Sequence, residues 1–526
     1  MQWAVKLPGF YPVWSLAFLL LSSCMVGPDY VRPATETVTQ WLEAEDRRLN
    51  TTSANDQTWW KSFNDPVLNQ LIDRAYLENL NIRIAGVRVL EARAQLGIAI
   101  GNIYPQNQQL TGSLSKVHLS ERASQAAFSK IFDYAQTQLG LTASWEIDFW
   151  GKFRRAIESA DAGFQAAVAD YNNALVSLTA DVAHAYITIR TLEKRLSIAR
   201  QNVDTQKESL NIAKIRYNGG TTSERDVEQA RTVLANTQAS IPTLEIGLRQ
   251  QQNALSVLLG AAPGRISRLL AGTAQIPAPP AQVAVGIPAE LLRRRPDVRH
   301  AEWQAAAQSA SIGVTKAALY PALSLTGTFG LLSSDVGSFA LGDVFLWKSR
   351  TANFGPALQW NIFNYGQITN QVRVQDARLQ GLLISYQNTV LSAQREVEDN
   401  LVAFLRSQER AQSLGESTAA AQRSLDLATL QYRQGITDFT TVLTAQQALL
   451  SEQDSLANTL GDISNNLVGV YRALGGGWQV RENKDVVPDS VKEQMAKRTD
   501  WGGLLTPAAQ PSPDAETPSG VSWPRW

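Results

Sequence analysis

Cys24, His118, His184 and His300 are the only thiol and imidazole side chains in the 526-residue sequence. A thiol can serve as a nucleophile or soft metal ligand, and an imidazole as a general base or zinc ligand. Either role needs several such groups to converge, and these four lie far apart in sequence. No second cysteine exists to complete a disulfide or a thiolate pair. No GxxxxGK[ST] loop is present to cradle a nucleotide phosphate. Lysine plus arginine number 48, as do aspartate plus glutamate, so a net charge of zero offers no global field for nucleic acid. The expectation is a protein that is not an enzyme, holds no cofactor or metal and binds no nucleic acid.

Cys24 has a local context that explains it. The stretch "LLLSSCMVGPDYVRP" (19–33) follows a start bearing one charge, Lys6, and an apolar run from Val13 to Leu21. That order, closed by the small residues Ser22 and Ser23, reads as a secretory signal over 1–23, too short to span a membrane as a helix. Leu21-Ser22-Ser23-Cys24 resembles the lipobox of bacterial lipoproteins, in which the cysteine is acylated and becomes the first mature residue. The resemblance implies a covalent lipid on Cys24. Met25 stands where an aspartate would signal inner-membrane retention, so the implied destination is the outer membrane.

Beyond the leader the chain repeats itself. "NIRIAGVRVLEARAQLGIAIGNIYP" (81–105) matches "DVRHAEWQAAAQSASIGVTKAALYP" (297–321) at an offset of 216. "WEIDFWG" (145–151) matches "WNIFNYG" (360–366) at an offset of 215, which then holds through Tyr217/Tyr432 and Gly220/Gly435 to Leu259-Gly260/Leu474-Gly475. The division is a lipidated segment at 24–80, repeats at 81–262 and 297–478, a Pro- and Ala-rich linker at 263–296, and a tail at 479–526. The tail shows no periodic pattern and reads as disordered from Pro507.

Two periods alternate inside each repeat. From Phe164 through Val168, Tyr171, Leu175, Leu178, Val182 and on to Tyr217, apolar residues recur in steps of four and three, with Gln206 the one break. This is a coiled-coil seam, and a helix from Phe153 to Tyr217 would be roughly 100 Å long at 1.5 Å per residue. The second copy runs from Gln367 to Tyr432. Return helices follow the turns at 217–223 and 432–438, and Pro242 is expected to loosen the first of them. The period is two in "LGLTASWEID" (139–148) and "FGPALQWNIF" (354–363), with partners expected at 109–116 and 322–331 inside hairpins 109–148 and 322–363. Alternating segments of about ten residues fit transmembrane barrel strands, apolar toward lipid and polar toward a lumen. A sandwich with one wet face would show the same alternation. Four strands cannot close a barrel, and an open sheet in lipid leaves backbone groups unsatisfied, so copies of the chain must share one. The fold class is an α+β membrane protein: a duplicated helix–hairpin–helix–helix unit forming a shared β-barrel and a long α-helical tunnel.

From Cys24 to about Trp478 the chain resembles the TolC/OprM family of outer-membrane efflux factors, specifically its lipoprotein, NodT-like branch. The motifs are "CMVGPDYVRP" (24–33), "WWKSFNDPVLNQLI" (59–72), "SWEIDFWGKFRR" (144–155), "RYNGGTTSERDV" (216–227), "NALSVLLGAAPG" (253–264), "LLRRRPDVRHAE" (291–302), "AALYPALSLTG" (317–327), "QYRQGITDFTTVLTAQ" (431–446) and "LGGGW" (474–478). The resemblance implies a homotrimer with a twelve-stranded barrel, a periplasmic helical tunnel and an equatorial belt. It also implies a periplasmic adaptor (membrane fusion protein) and an inner-membrane pump as partners, alongside outer-membrane lipid. The tips, with Tyr217, Gly219, Gly220, Tyr432 and Gly435, would meet the adaptor.

In the family, acidic residues of the second tip constrict the tunnel, often within V-[LV]-D-A. Here the stretch is Val442-Leu443-Thr444-Ala445, with Thr441 at another frequently acidic position and Asp438 the acid nearby. Asp438 reads equally as a member of a three-fold cation-attracting ring and as a helix N-cap. With Asp438, Thr441 and Thr444, Glu224 and Asp226 at the first tip are candidate gate residues that carry the same double reading, with solvated first-turn acids the favoured one, and Arg293 to Arg295 read as a solvated run ending at Pro296. The function implied is a passive exit duct for toxic small molecules. A protein-secretion duct and a channel-free trimeric coiled-coil surface protein are the alternatives.

Overall fold

The computed structural model describes residues 25–506, apart from 36–37, 51–55, 121, 123–132, 267, 272–274, 281, 287–292 and 483. The expected signal at 1–23, Cys24 and the tail from Pro507 lie outside the described residues.

A two-residue strand β1 (Leu49–Asn50) and helix α1 (Pro66–Glu78) precede the first repeat, which runs α2 (Leu80–Gly101), β2 (Asn107–His118), β3 (Asp133–Glu146), α3 (Lys152–Asn218) and α4 (Glu224–Leu258). Strand β4 (Val283–Ala284) pairs in parallel with β1. The second repeat follows as α5 (Pro296–Ala317), β5 (Ala322–Ser334), β6 (Arg350–Gln359), α6 (Gln367–Arg433) and α7 (Phe439–Ala473). Matching helices have equal lengths: 22 residues in α2 and α5, 67 in α3 and α6, 35 in α4 and α7. Each long helix reverses at a glycine. Gly220 and its counterpart Gly435 take φ of 71° and 80°, a left-handed backbone that closes the last helical turn and that a side chain would strain. Helix α4 runs unbroken through Pro242, which lies exposed on its solvent side.

The four longer strands form one antiparallel sheet in the order β2-β3-β5-β6. Its register sorts the side chains. Leu110, Leu141 and Phe329 stand in one row, and Trp145 faces Leu325, all on one face. Gln109, Thr142, Thr328 and Asn353 form a row on the other face. Leu110, Leu141, Leu325, Phe354 and Leu358 are exposed, so among the described residues nothing covers the apolar face. The strands start and stop a few residues from the expected bounds. Strand β6 ends at Gln359 because its partner β5 begins there, at Ala322, leaving Trp360 to Phe363 without an in-chain neighbour strand. Among the described residues no helix is long and apolar enough to cross a membrane.

The largest core lies in a belt around the middle of the helices. Trp59, Trp60, Trp478 and Tyr471 pack there, with Trp59 stacked on Tyr471 at 5.2 Å. The Tyr76 hydroxyl shares a 2.7 Å hydrogen bond with Thr179 and donates to the Gly477 carbonyl at 3.0 Å. The motifs 59–72 and 474–478 are therefore packing motifs.

One expectation is corrected here. Arg295 is not part of a solvated run: it is 6% exposed, while Arg293 and Arg294 remain exposed. Pro296 opens α5, so Arg295 falls at the N-cap beside the C-terminus of α7, and its guanidinium donates to the Ala473 carbonyl, to Asp297 at 2.7 Å and to Glu396 at 2.8 Å. The tail is structured as far as residue 506. Val487 and Met495, the latter on a short helix α8 (Asp489–Ala496), pack on Leu90 of α2, and Arg93 donates to the carbonyls of Leu504 and Thr506.

The facing of the sheet is open to a direct check. Leu141→Arg puts a cation on the uncovered apolar face and is expected to cost about 2–4 kcal/mol near the midplane of a bilayer. Ser144→Arg, on the opposite face, is expected to leave yield in the outer membrane near wild type. Equal tolerance of both changes contradicts the facing.

Candidate functional site

Two regions carry the candidate residues, the helix tips and the base of the sheet. At the tips α3 and α4 of the first repeat pack against α6 and α7 of the second around a separate core of Val227, Val233, Leu425, Phe439, Val442 and Leu449. Arg216 spans the two repeats. Its guanidinium lies 4.5 Å over the ring of Tyr432 and donates to the Tyr432 carbonyl, and Tyr432 packs against Phe439 at 5.0 Å. Arg433 donates to Glu208 at 2.6 Å, but both side chains are exposed, so that pair adds little.

Repeat symmetry breaks at this point. Tyr217 is 43% exposed whereas Tyr432 is 2% exposed. Tyr432 thus cannot present itself to an adaptor, which corrects the expectation for that residue; Tyr217, Gly219, Gly220 and Gly435 are exposed. Arg216 and Phe439 cover Tyr432, and their repeat counterparts, Gln431 and Glu224, leave Tyr217 without an equivalent cover.

The acids at the two tips exchange roles with hydroxyls. In the first tip Ser223 occupies the N-cap position of α4 without a side-chain cap bond, and Asp226 stands three residues on. Asp226 is 6% exposed, not solvated as expected: the Thr222 hydroxyl donates to it, and Ser223 donates at 3.4 Å. Glu224 is exposed, as expected. In the second tip the acid is the cap. Asp438 accepts from the Thr441 backbone N–H at 3.2 Å and from the Thr441 hydroxyl at 2.8 Å. These bonds hold the exposed Asp438 carboxyl below the usual carboxylate range, the hydroxyl bond first and the N–H bond next. The contribution of Asp438 to the cap is therefore complete above that range and lost as pH falls through the lowered value. Thr444 is exposed and donates to the Thr440 carbonyl at 2.9 Å.

Above the tips the seam is interrupted by a polar layer. Gln206, the break in the heptads, is buried with neither end of its amide bonded, near Gln446, which donates to Ser209 at 2.6 Å. Asn202 donates to Gln453 at 2.8 Å in the same layer.

At the base of the sheet, residues 25–32 form a strap across the start of α3 and the side of α5. The Val26 N–H donates to the Trp150 carbonyl at 3.1 Å, and Arg155 donates to Asp29 at 2.6 Å. Gly27 lies so near Gly313 that a Cβ on either would collide with the other segment. Aromatic side chains ring this level: Trp145 and Trp360 donate to the carbonyls of Ile103 and Leu319, each at 3.0 Å, and Trp150 stacks on Tyr320 at 4.6 Å. A second exposed apolar group, Phe339, Phe345 and Trp347, follows the far end of β5. Two such girdles flanking an apolar band are what a bilayer-spanning sheet carries.

The histidines are used locally. His184 shares a 2.9 Å hydrogen bond with Asn465, His300 with the Ala166 carbonyl at 2.9 Å, and His118 pairs with Asp133 at 2.8 Å. No group of three or more histidine, cysteine or acidic side chains is placed to hold a metal ion among the described residues.

The profile of a family described as Outer membrane efflux protein matches residues 71–261 and 287–476. Nodulation protein T of Rhizobium leguminosarum bv. viciae is 31% identical over 462 residues, 88% of this chain and 92% of that protein. The toluene efflux pump outer membrane protein TtgC of Pseudomonas putida is 31% identical over 87% of this chain and 94% of its own length. Among solved structures, the outer-membrane channel OprN aligns with a TM-score of 0.81 at 32% identity, covering 87% of this chain and all of that one. CusC aligns with a TM-score of 0.74 at 26% identity over 86% of this chain and all of that one.

The tip geometry predicts that Arg216→Ala, which removes a cation–π contact worth about 0.5–2 kcal/mol, loosens the second tip and raises single-channel conductance. Arg216→Lys restores charge without the planar fork and is expected to recover part of the closure. Unchanged conductance in both variants contradicts a role for Arg216 in holding the tips together.

Proposed function

The chain belongs to the outer membrane efflux protein family, and from that premise we propose that three copies share one twelve-stranded barrel continued by a hollow bundle of their long helices. It is an outer-membrane channel of an efflux pump and not an enzyme. The observation that carries the shared barrel is the four-stranded sheet with an uncovered apolar face and two unpaired edges, β2 and β6. The count of three is what membership of the family implies, and barrel size agrees with it. Two copies would give eight strands, whose interior side chains fill, while three leave a lumen. That lumen is lined by the polar rows of Gln109, Thr142 and Thr328.

Cys24 carries the lipid. Its neighbour Met25 is packed against Gly151, at the junction of sheet and helix where the aromatic girdle lies, so an acyl chain there enters the inner leaflet beside the barrel. Mass spectrometry of the mature amino terminus is expected to find acylated Cys24, and an unmodified thiol would refute the anchor.

The exposed turns with Tyr217, Gly219, Gly220 and Gly435 meet a periplasmic adaptor, and an inner-membrane pump supplies the energy. Three Asp438 carboxylates gather around one axis at the narrow end, each also capping its own helix. Thr441 and Thr444 replace further acids there, so closure rests on packing and on Arg216. The cargo is toxic small molecules, the class named for the toluene pump relative.

Planar-bilayer recording of the purified full-length protein tests the reading. Stepwise conductance with a cation preference that falls in both Asp438→Asn and Asp438→Ala is expected, because asparagine keeps the cap and loses only the charge. An oligomer that never conducts would be a coiled-coil surface protein and would overturn the duct.

A further inference from the structure

The buried arginines of this chain are matched by acids. Arg155 lies on Asp29 and Glu158, Arg190 on Glu193, and Arg295 on Asp297 and Glu396, all at 2.6–2.8 Å. Arg83 in α2 and Arg481 in the segment that follows α7, both half-buried, depart from that pattern. Arg83 donates to the Leu77 carbonyl at 3.0 Å and Arg481 to the Asp485 carbonyl at 2.9 Å. Arg481 also lies against the buried Tyr171 hydroxyl. No carboxylate pairs with either guanidinium among the described residues, and the Nε–H of each is buried without a partner.

Both arginines line one cavity of about 220 Å³ in the belt, and the exposed Lys484 lines it as a third cation. The acids on its wall are committed elsewhere. Asp485 and Asp489 are both held by Lys492, at 2.7 and 3.8 Å. The nearby Glu78 pairs with Arg74 at 2.9 Å. The cavity exists because the segment beyond Arg481 comes close to α2 at Gly86, where a Cβ would collide with the Val486 carbonyl. That approach buries Val487 fully against Leu90. The rest of the wall is apolar, with Leu77, Ile82, Val487 and Pro488 beside the two guanidinium groups.

Two cations on one wall repel each other, and each loses water on burial without gaining a counter-charge. One anion between them relieves both costs. A carboxylate fits best, because the planar guanidinium fork meets it with two parallel hydrogen bonds. Size narrows the ligand further. Pockets for drug-sized molecules run to about 300–1,000 Å³, so this one holds a group no larger than a single amino-acid residue. Charge narrows it again, since the carboxylates of Asp485 and Asp489 on the wall oppose a phosphate dianion more than a monoanion. The apolar wall suits a short hydrocarbon group next to the carboxylate.

We propose that Arg83 and Arg481 form a binding site for a monocarboxylate bearing a short apolar group, the chemistry shared by the last residue of a peptide and by a free small apolar acid. Lys484 draws the anion in from solvent, and the two guanidinium groups hold it. The site stands apart from the tips and the sheet, and it does not depend on the duct. Occupancy joins Arg481 to Arg83 through the ligand, and so fastens the belt segment to the helix that leads into β2.

Calorimetric titration of the purified full-length protein in detergent tests this, with N-acetylalanine as the probe and its uncharged amide beside it. At neutral pH the acid is expected to bind about tenfold or more tighter than the amide or inorganic phosphate. Arg83→Gln and Arg481→Gln are each expected to weaken the acid about tenfold or more, and Lys484→Gln about twofold, as befits an exposed charge. Arg74→Gln, whose charge is paired with Glu78, is expected to change nothing. Tighter binding of N-acetylalanylalanine than of N-acetylalanine would assign the site to a peptide end, and equal binding to a free acid. Wild-type protein gives a second reading that needs no variant to fold. Phenylglyoxal modification of Arg83 and Arg481, mapped by peptide mass spectrometry, is expected to slow with the acid present and not with the amide. Acid and amide binding alike, phosphate binding in preference, or modification indifferent to the acid would each overturn the proposal. Single-channel conductance of the same preparations reads the duct separately.

Discussion

A β-sheet in hydrocarbon must leave no edge, because an unpaired backbone N–H or C=O there has no water to bond. The sheet of β2, β3, β5 and β6 is built for hydrocarbon on one face and has two edges it cannot satisfy alone. Closure by further copies follows from that constraint, and with it a lumen lined by the opposite, polar face. The long helices inherit the arrangement. Each leaves the sheet at a fixed strand end, so in the proposed assembly a ring of strands becomes a ring of helices about 100 Å deep. The main core sits in the belt, where α1 and the segment around Trp59 and Trp478 lock the middle of the helices from outside the coiled coil.

The two ends of the molecule then differ in kind. At the sheet, glycine contacts between the strap and α5 and duplicated tryptophan hydrogen bonds define a rigid joint. At the tips the packing is a small separate core, joined to the rest through a layer containing an amide, Gln206, that is buried and unbonded. Burying such a group weakens the seam locally. Arg216 over Tyr432 and Arg433 on Glu208 are the polar contacts that join the two repeats there, and the proposed opening would break both.

Much of this was legible in the residues because it rests on period. Steps of three and four mark the long helices, and period two marks the strands and their facing, since both periods follow from backbone geometry alone. The duplication made each element readable twice. What escaped depends on contacts remote in sequence. Arg295 looked like the end of a charged run, and only the approach of Ala473 and Glu396 buries it. Asp226 is the first-turn acid the sequence suggests but not a solvated one, because the tight turn at Thr222 and Ser223 folds two hydroxyls onto it. Tyr217 and Tyr432 occupy equal places in the repeat, and Arg216 against Gln431 together with Phe439 against Glu224 separates them. Helix α8 is only 8 residues long, too short for an apolar period to register.

Single cysteines placed in turn at positions 139 to 146 of β3 give the most direct measurement of whether this sheet divides lipid from a water-filled lumen. In intact outer membranes a membrane-impermeant maleimide is expected to label Gly140, Thr142, Ser144 and Glu146 positions and to spare those of Leu139, Leu141 and Ala143. Labelling that does not alternate, or that favours the odd positions, would contradict a shared barrel around an aqueous duct.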